Sequence, residues 1–546
     1  MNRVTAIRGR AEARLRAIGD RPGAMRYVGA SPGRDRTTWH ARWGAGSEFG
    51  GRAVAAGVTP RLYNSLGRKQ VGFRPLVPGR VSIYSCGPTV YSDPHLGNMR
   101  PYVFSDTLRR MFEWKGLEVV QTVNITDVGH TVGDTDLGED KVELAARRQE
   151  TSVWEVTRRH TEAYFRDLAD LNVLPHTHNP RASDHVPQMI EFVRVLEERG
   201  FTYRLDSGLY FDTGRSPDYG LLALMPAGAE SDVVRLEVVP GKRSRADFAV
   251  WRSERDRRRL VHWESPWGPG VPGWHLECSV MSRDLLGDRF DIHTGGVDHR
   301  EIHHVNEIAQ STAFLGVADA ARWVPLWMHN EFVLFGRQKM AKSRGRMPVL
   351  RDVVSAGYHP LVFRYHLLGA HYRSQMDIGD EGLRAAAAAL RRLLGRVAPL
   401  RPLPEVPTFA AAHAALTGEA GRAALARVDE AVSDDLNTAR VLAELNGVLR
   451  DEALGEADKA VLVAAVDVLL GLRLRSLSPE EVTAGGELAV AADFVEELVA
   501  ARAQARRDRD WARADEIRAQ LAELGVRVVD TPTGSHWEPV ATGSPD

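Results

Sequence analysis

Hydrophobic positions change period twice between residues 80 and 125. Val81, Ile83 and Tyr84 form a short apolar run that reads as a buried strand, and Gly87-Pro88 then imposes a turn. From Tyr102-Val103-Phe104 through Leu108 to Met111-Phe112 the apolar residues recur at helical spacing. A second strand-like run, Val119 to Ile125, ends at Thr126-Asp127. Strand, helix and strand within about 45 residues predict half of a doubly wound α/β sheet.

Further along, residues 137–265 interrupt that pattern. Amphipathic stretches at Val142–Leu171 and Asp184–Arg199 predict helices, and Tyr203–Thr213 predicts a strand. Gly273-Trp274-His275-Leu276-Glu277-Cys278-Ser279 opens a helix through Leu286. Phe290–His293 then reads as a strand, Thr294-Gly295-Gly296-Val297-Asp298 as the glycine-rich loop after it, and His303–Phe314 as a helix. Beyond Arg364 nearly everything has a 3.6-residue period: Ala385–Leu394, Ala411–Val432, Ala439–Leu449 and Ala457–Leu470 predict an antiparallel bundle. Phe494–Arg506 and Trp511–Leu524 predict a helical pair, and Val526–Trp537 a small strand and turn.

Composition narrows the class. With 546 residues, 43% hydrophobic and 26% charged, the chain is expected to be a soluble protein of several domains. No run of about 18 apolar residues is present, so no membrane helix is expected, and without an apolar signal segment the cytoplasm is the expected compartment. Residues 1–59 contain no lysine and little apolar periodicity, and read as a disordered extension in which Met25 is an alternative start. The net charge of −1 gives no global attraction to nucleic acid, so any RNA contact must use local basic clusters. Arg252, Arg255, Arg257, Arg258 and Arg259 form one, which reads equally as a solvated face or an RNA contact.

Candidate chemistry gathers around the first strand end. Cys86 sits there, and His95-Leu96-Gly97-Asn98 opens the helix behind it, where a glycine lets a phosphate approach the backbone. Far downstream, Lys339-Met340-Ala341-Lys342-Ser343-Arg344-Gly345 places two lysines and a serine on a short loop suited to a triphosphate. The chain has only two cysteines, Cys86 and Cys278, which in a reducing compartment raise the question of metal binding or catalysis. His303 and Glu307 lie four apart on one helix face. Singly, these are buried small hydrophobes and a helix surface pair; together, two sulfurs, an imidazole and a carboxylate form a four-ligand set suited to zinc.

The His95–Asn98 and Lys339–Gly345 stretches resemble the HIGH and KMSKS signatures of class I aminoacyl-tRNA synthetases. Cys86-Gly87-Pro88-Thr89-Val90-Tyr91, Gly273 to Cys278, and His303-His304-Val305-Asn306-Glu307-Ile308-Ala309-Gln310-Ser311 are more specifically similar to the cysteinyl-tRNA synthetase family. That resemblance runs from about residue 60 to 537, including Ala514-Asp515-Glu516-Ile517-Arg518 and the ending from Asp530-Thr531 to Trp537.

The resemblance implies one zinc ion per chain on Cys86, Cys278, His303 and Glu307, and an amino-acid pocket at Thr126 and Trp274. It implies ATP contacts at His95, Asn98, Gly295, Asp298 and Lys342, with His95, Asn98, Lys339 and Lys342 as the catalytic groups and Mg²⁺ accompanying ATP. The expected partners are tRNA(Cys), L-cysteine and ATP, and the expected state is a monomer. The implied organisation is a Rossmann-like catalytic domain at 60–136 and 266–380, a connective insertion at 137–265, a tRNA-binding helical bundle at 381–480 and an anticodon-recognition domain at 487–546. Ser433-Asp434-Asp435-Leu436-Asn437-Thr438-Ala439 opens one of the helices expected to contact tRNA. Asn98 and Ala341 depart from the two signatures, and altered rates with retained function are expected. The rival readings are a ligase joining cysteine to an amino-sugar and a non-catalytic zinc-bearing RNA-binding paralogue.

Overall fold

The computed structural model describes residues 57–546 except 133–137, 224–238, 254–258, 336–337, 340–346, 483–491, 524–525, 532–533 and 540–546. The expected N-terminal extension up to residue 56, Lys342 with Ala341, and Arg255, Arg257 and Arg258 lie outside the described residues.

A short hairpin, β1 (Arg61–Asn64) and β2 (Lys69–Gly72), leads into β3 (Arg80–Ser85), α1 (Leu96–Trp114) and β4 (Glu118–Val123). After β4 come α2 (Lys141–Arg148), α3 (Val153–Asp170) and α4 (Val186–Glu198). Strands β5 (Thr202–Leu205), β6 (Gly208–Phe211), β7 (Phe248–Ser253) and β8 (Gly270–Pro272) follow, forming a separate antiparallel sheet in the order β5-β6-β7-β8. The chain then returns to the parallel sheet through α5 (Trp274–Leu286), β9 (Ile292–Gly296), α6 (Val297–Glu301), α7 (His303–Leu315) and β10 (Leu326–Asn330).

The central sheet is fully parallel in the order β10-β9-β3-β4. The chain leaves β3 toward β4 on one side, whereas β9 and β10 lie on the other, so strand order reverses between β3 and β9. The carboxyl ends of those two strands are therefore the switch point at which α/β sheets bind ligands. Alternation along β3 explains how one strand serves two cores. Val81 and Ile83 face a core shared with Leu108 and Phe112 of α1, while Tyr84 and Cys86 face one shared with Leu276 of α5 and Val305 of α7.

Downstream lie β11 (Val333–Phe335), β12 (Gln338–Lys339), α8 (Leu350–Ser355), α9 (Pro360–Leu368) and β13 (Met376–Asp377). Helices α10 (Asp380–Val397), α11 (Phe409–Ala415), α12 (Glu419–Ser433), α13 (Thr438–Arg450) and α14 (Glu456–Leu470) form the bundle. Their apolar faces join the same core as Val81 and Ile83. The chain finishes with α15 (Ala492–Arg507), α16 (Trp511–Glu523), β14 (Val526–Thr531) and β15 (Gly534–Pro539), whose small core includes Val499, Ile517 and Leu521.

Four expectations change. The single amphipathic stretch Val142–Leu171 is two helices, broken at Glu150, which takes a left-handed φ of 51° before Ser152 caps α3. Ala411–Val432 is also two helices, because Asp458 accepts the backbone N–H of Thr417 and Gly418 and fixes a turn between them. The expected glycine loop at 294–298 instead continues β9 through Gly296 and places Asp298 on α6, since pairing with β10 extends to Asn330. Arg252, counted in the basic cluster, is buried in β7 and donates to the Gly129 carbonyl, so it is no part of a solvated or RNA-facing surface.

Candidate active site and metal centre

Position 86 follows β3 at the switch point, and the Cys86 N–H donates to the Thr294 carbonyl of β9 at 3.2 Å. Its side chain continues the β3 alternation into the core that α5 and α7 share. There Cys278, on the second turn of α5, brings its Sγ to 4.0 Å from Cys86 Sγ. His303 Nε2 lies 3.4 Å from Cys278 Sγ and 3.0 Å from Glu307 Oε1, the i,i+4 pair of α7. Cys86, Cys278, His303 and Glu307 thus offer ligand atoms that all lie within 4.8 Å of one another, every residue buried.

This donor set fits zinc. A tetrahedral ion with Zn–S bonds of about 2.3 Å holds two sulfurs about 3.8 Å apart, against the 4.0 Å found. Both cysteines are free thiols, and the buried Glu307 presents Oε1 to the His303 imidazole within the same cluster. The electrostatics lean the same way. Burial would raise the Cys86 thiol, but the Cys278 hydrogen bond and the imidazoles of His304, His299 and His303 hold it well below the usual range. Burial would likewise raise Glu307, yet His293 and His303 bring it down to about 2. Cys278 is pushed up by burial and by the neighbouring Cys86 sulfur.

Both cysteines line a cavity of about 380 Å³ whose wall also includes His95, Asn98, Thr126, Trp274 and Asp298. His95 is the N-cap of α1, and its Nδ1 accepts the Asn98 N–H at 3.2 Å while Asn98 Oδ1 accepts the His95 N–H at 3.2 Å. With Nδ1 used as an acceptor, the neutral ring carries its proton on Nε2. Burial lowers the His95 pKa to about 4 against the opposing charge of Asp298, so the ring is a neutral donor at pH 7. Thr126 donates its hydroxyl proton to Glu277 Oε2 at 2.8 Å and accepts from Asn124 Nδ2 at 3.0 Å. Trp274 stacks on His130 with centroids 4.0 Å apart and packs on His303 at 4.3 Å.

Residues 72–388 match the family model described as tRNA synthetases class I (C) catalytic domain, and residues 492–537 match the cysteinyl-tRNA ligase anticodon binding domain. The cysteine–tRNA ligase of Zymomonas mobilis is 43% identical over 508 residues, covering 88% of this chain and 98% of that protein. That of Novosphingobium aromaticivorans is 45% identical over 488 residues, covering 88% and 97%. This chain belongs to the cysteine–tRNA ligase family.

Against that membership, the structure assembles most of the expected site residues at one cavity. Cys86, Cys278, His303, Thr126, Trp274, His95, Asn98 and Asp298 line it, and Glu307 stands behind His303. Gly295 is not in the wall; Gly296 is. A Cβ on Gly295 would come within 2.7 Å of the His304 ring and 2.9 Å of the His299 ring, so its place is fixed by those imidazoles. Lys339 lies on β12, paired with Leu334 of β11, and Lys342 falls outside the described residues.

Sequence reasoning missed a shell of histidines in this cysteine–tRNA ligase family member. His304 Nε2 lies 3.2 Å from Cys86 Sγ, and its Nδ1 contacts His329 Nε2 at 2.8 Å. His293 Nε2 meets Glu307 Oε2 at 2.9 Å. With Cys86 and Glu307, His293 and His304 make a second donor set overlapping the first. The i,i+3 spacing of His304 and Glu307 carried that signal; His293 and His329 come from neighbouring strands and left none.

Proposed function

We propose that this chain joins L-cysteine to tRNA(Cys) in an ATP-dependent reaction through a cysteinyl-adenylate. The observation that carries this reading is the convergence of two thiols and an imidazole on the wall of the cavity that His95 also lines, with the Glu307 carboxylate behind them within ligand reach. Cys86, Cys278, His303 and Glu307 would hold one zinc ion. Bound there, zinc supplies a soft Lewis acid that prefers the substrate's sulfur to the hydroxyl of serine.

In the first step the cysteine carboxylate attacks the α-phosphorus of ATP, the bond to the β-phosphate oxygen breaks, and pyrophosphate leaves. The nucleophile is already ionised, so the step depends on alignment and charge stabilisation. His95 donates its Nε2 proton in a hydrogen bond to a phosphate oxygen, beside the start of α1, whose N–H groups favour anions. Asn98, Asp298 and Lys342 contribute the remaining nucleotide contacts, Lys339 and Lys342 balance phosphate charge, and Mg²⁺ travels with ATP. Thr126 has its proton committed to Glu277, so a lone pair is left to accept from the substrate ammonium, and Trp274 walls the side-chain end. In the second step a hydroxyl of the tRNA's terminal adenosine attacks the acyl carbon, AMP departs, and the hydroxyl proton is released.

The match at 492–537 supports tRNA over an amino-sugar as the acceptor. The enzyme acts as a monomer in the cytoplasm, with 60–136 and 266–380 catalytic, 137–265 inserted, 381–480 bound to the tRNA body and 487–546 to its anticodon; no helix of the described residues is long and apolar enough to cross a membrane. The test is aminoacylation of a total tRNA pool with cysteine and serine in parallel, before and after zinc chelation. Cysteine charging that vanishes on chelation and returns with Zn²⁺ is expected. Full charging by metal-free protein sinks the zinc assignment, and no charging by zinc-loaded protein sinks the ligase reading.

A further inference from the structure

The loop between α12 and α13 holds an unusual backbone. Asp435 and Leu436 are consecutive non-glycine residues with left-handed φ angles of 55° and 56°. Such a pair persists only where surrounding contacts over-determine it. Here they do, because the Asp435 side chain is buried and fully engaged within the protein. Its Oδ1 accepts the Tyr63 N–H at 2.8 Å and the Tyr372 hydroxyl at 2.7 Å, and Arg373 reaches Oδ2 at 2.7 Å. His371 Nε2 lies 2.9 Å from the Asp435 carbonyl. A carboxylate occupied in this way is not available to a tRNA.

What Asp435 grips is a strip, residues 371–374, that runs on toward the catalytic end. The Tyr372 ring whose hydroxyl meets Asp435 stacks on Phe104 of α1, with centroids 4.4 Å apart. The Tyr372 carbonyl accepts the Glu331 N–H at 2.9 Å. Arg100, two residues beyond Asn98, donates to the carbonyls of His371 and Ser374 with one nitrogen and of Glu331 and Phe332 with another, at 2.5–3.1 Å. Glu331 and Phe332 line the cavity. Past the strip, β13 pairs with β11, and β11 pairs with the strand bearing Lys339.

We propose that Asp435 is a positioning residue for adenylation. By fixing the 371–374 strip against Arg100, it sets the cavity wall at Glu331–Phe332 and the pairing of β11 with β12 and β13. It acts from the α1 side of the cavity, because the strip is held to Arg100 and Phe104 of the helix that His95 and Asn98 open.

The inference goes beyond the ligase reading but uses its assay, so wild-type protein is run alongside. Cysteine-dependent exchange of pyrophosphate into ATP is measured on the full, zinc-loaded chain for the wild type, Asp435→Ala, Asp435→Asn, Arg100→Lys and the Asp435→Ala/Arg100→Lys double variant. Lysine cannot span four carbonyls, so Arg100→Lys breaks the same connection from its other end. The expected result for Asp435→Ala and Arg100→Lys is a kcat at least 10-fold lower, with KM for cysteine within twofold of wild type and zinc content unchanged. The double variant should be no slower than the slower single one, since both cut one path. Asp435→Asn, which keeps one acceptor oxygen, should recover part of the loss. Unchanged kcat, a cysteine KM that rises in step with the loss, or multiplicative losses in the double variant overturn the proposal. A wild type without exchange instead overturns the ligase reading.

Discussion

Under the proposed reading, His95 is the single side chain on which the adenylation step most depends. Its ring is a neutral donor because burial lowers its pKa to about 4 and the Asn98 N–H occupies Nδ1. His95→Ala is expected to lower kcat for pyrophosphate exchange about 10²–10³-fold, the usual effect of losing one preorganised donor. Because the ring stays neutral throughout, the wild-type rate from pH 5.5 to 8 should show no inflection that His95→Asn removes; such an inflection would mean a charged imidazole. Asp167 on α3 provides a second test. Burial raises its carboxyl to about 7, opposed by Arg166. The unfolded chain ionises from about pH 4, so between pH 4 and 7 it holds fewer protons than the native state and stability falls as pH rises. Asp167→Asn should therefore raise the urea midpoint at pH 8, by on the order of 2 kcal/mol in stability, and leave it unchanged at pH 4. A rise at pH 4 as well would point to packing and not to charge.

Among the elements, α1 carries the His95–Asn98 capping box at one end and a buried ionic seam along its middle. Asp106 accepts from Arg110 at 2.7 Å and from Arg364 of α9 at 2.5 Å. Arg364 also donates to the carbonyls of Leu470 and Leu171, joining α9 to the ends of α14 and α3. Burial would raise Asp106, but the two guanidinium charges bring it to about 2. Its stabilising contribution is therefore complete above about pH 4 and is lost as pH falls toward 2. Asp106→Asn leaves Arg364 buried without its counter-ion and should destabilise the protein by about 3–5 kcal/mol in urea melts at pH 7; a loss below about 1 kcal/mol would show that the carbonyls alone suffice. None of this seam was legible in the sequence, where Arg364 stands 258 positions from Asp106. The strand, turn and helix around Cys86 were legible, because period-2 and period-3.6 patterns and the Gly87-Pro88 turn are local. Breaks such as Glu150, and the partner strands that bring in His293 and His329, depend on contacts that no window of sequence contains.

At the scale of the molecule, one apolar core joins a face of the parallel sheet to the helical bundle, whereas the last helices and hairpin have a small core of their own. Ending the chain after residue 482 should therefore leave cysteine-dependent pyrophosphate exchange within a few-fold of the full protein and lower tRNA charging by at least about 100-fold, as removal of several kcal/mol of recognition energy would. Equal loss of both activities would tie that terminal unit to adenylation itself. The α/β architecture was readable from the order of its motifs, since Cys86, His95–Asn98 and Gly273–Cys278 sit at a strand end or helix start that pattern alone can locate. What pattern could not supply was the packing between them, such as the buried Asp435 in a loop whose acidic run suggests exposure.

Gly87 joins these scales. A single methyl group there would land 1.6 Å from the Asn124 carbonyl oxygen, and the Gly87 N–H meets the Asn124 side chain that in turn holds Thr126. Any larger residue must push the two backbones apart by more than about an ångström, displacing the sulfur on one side and the threonine hydroxyl on the other together. Inherited variation thus has no gradual path at this codon, and a descendant enzyme adapting to a bulkier amino acid has to find room in the opposite wall.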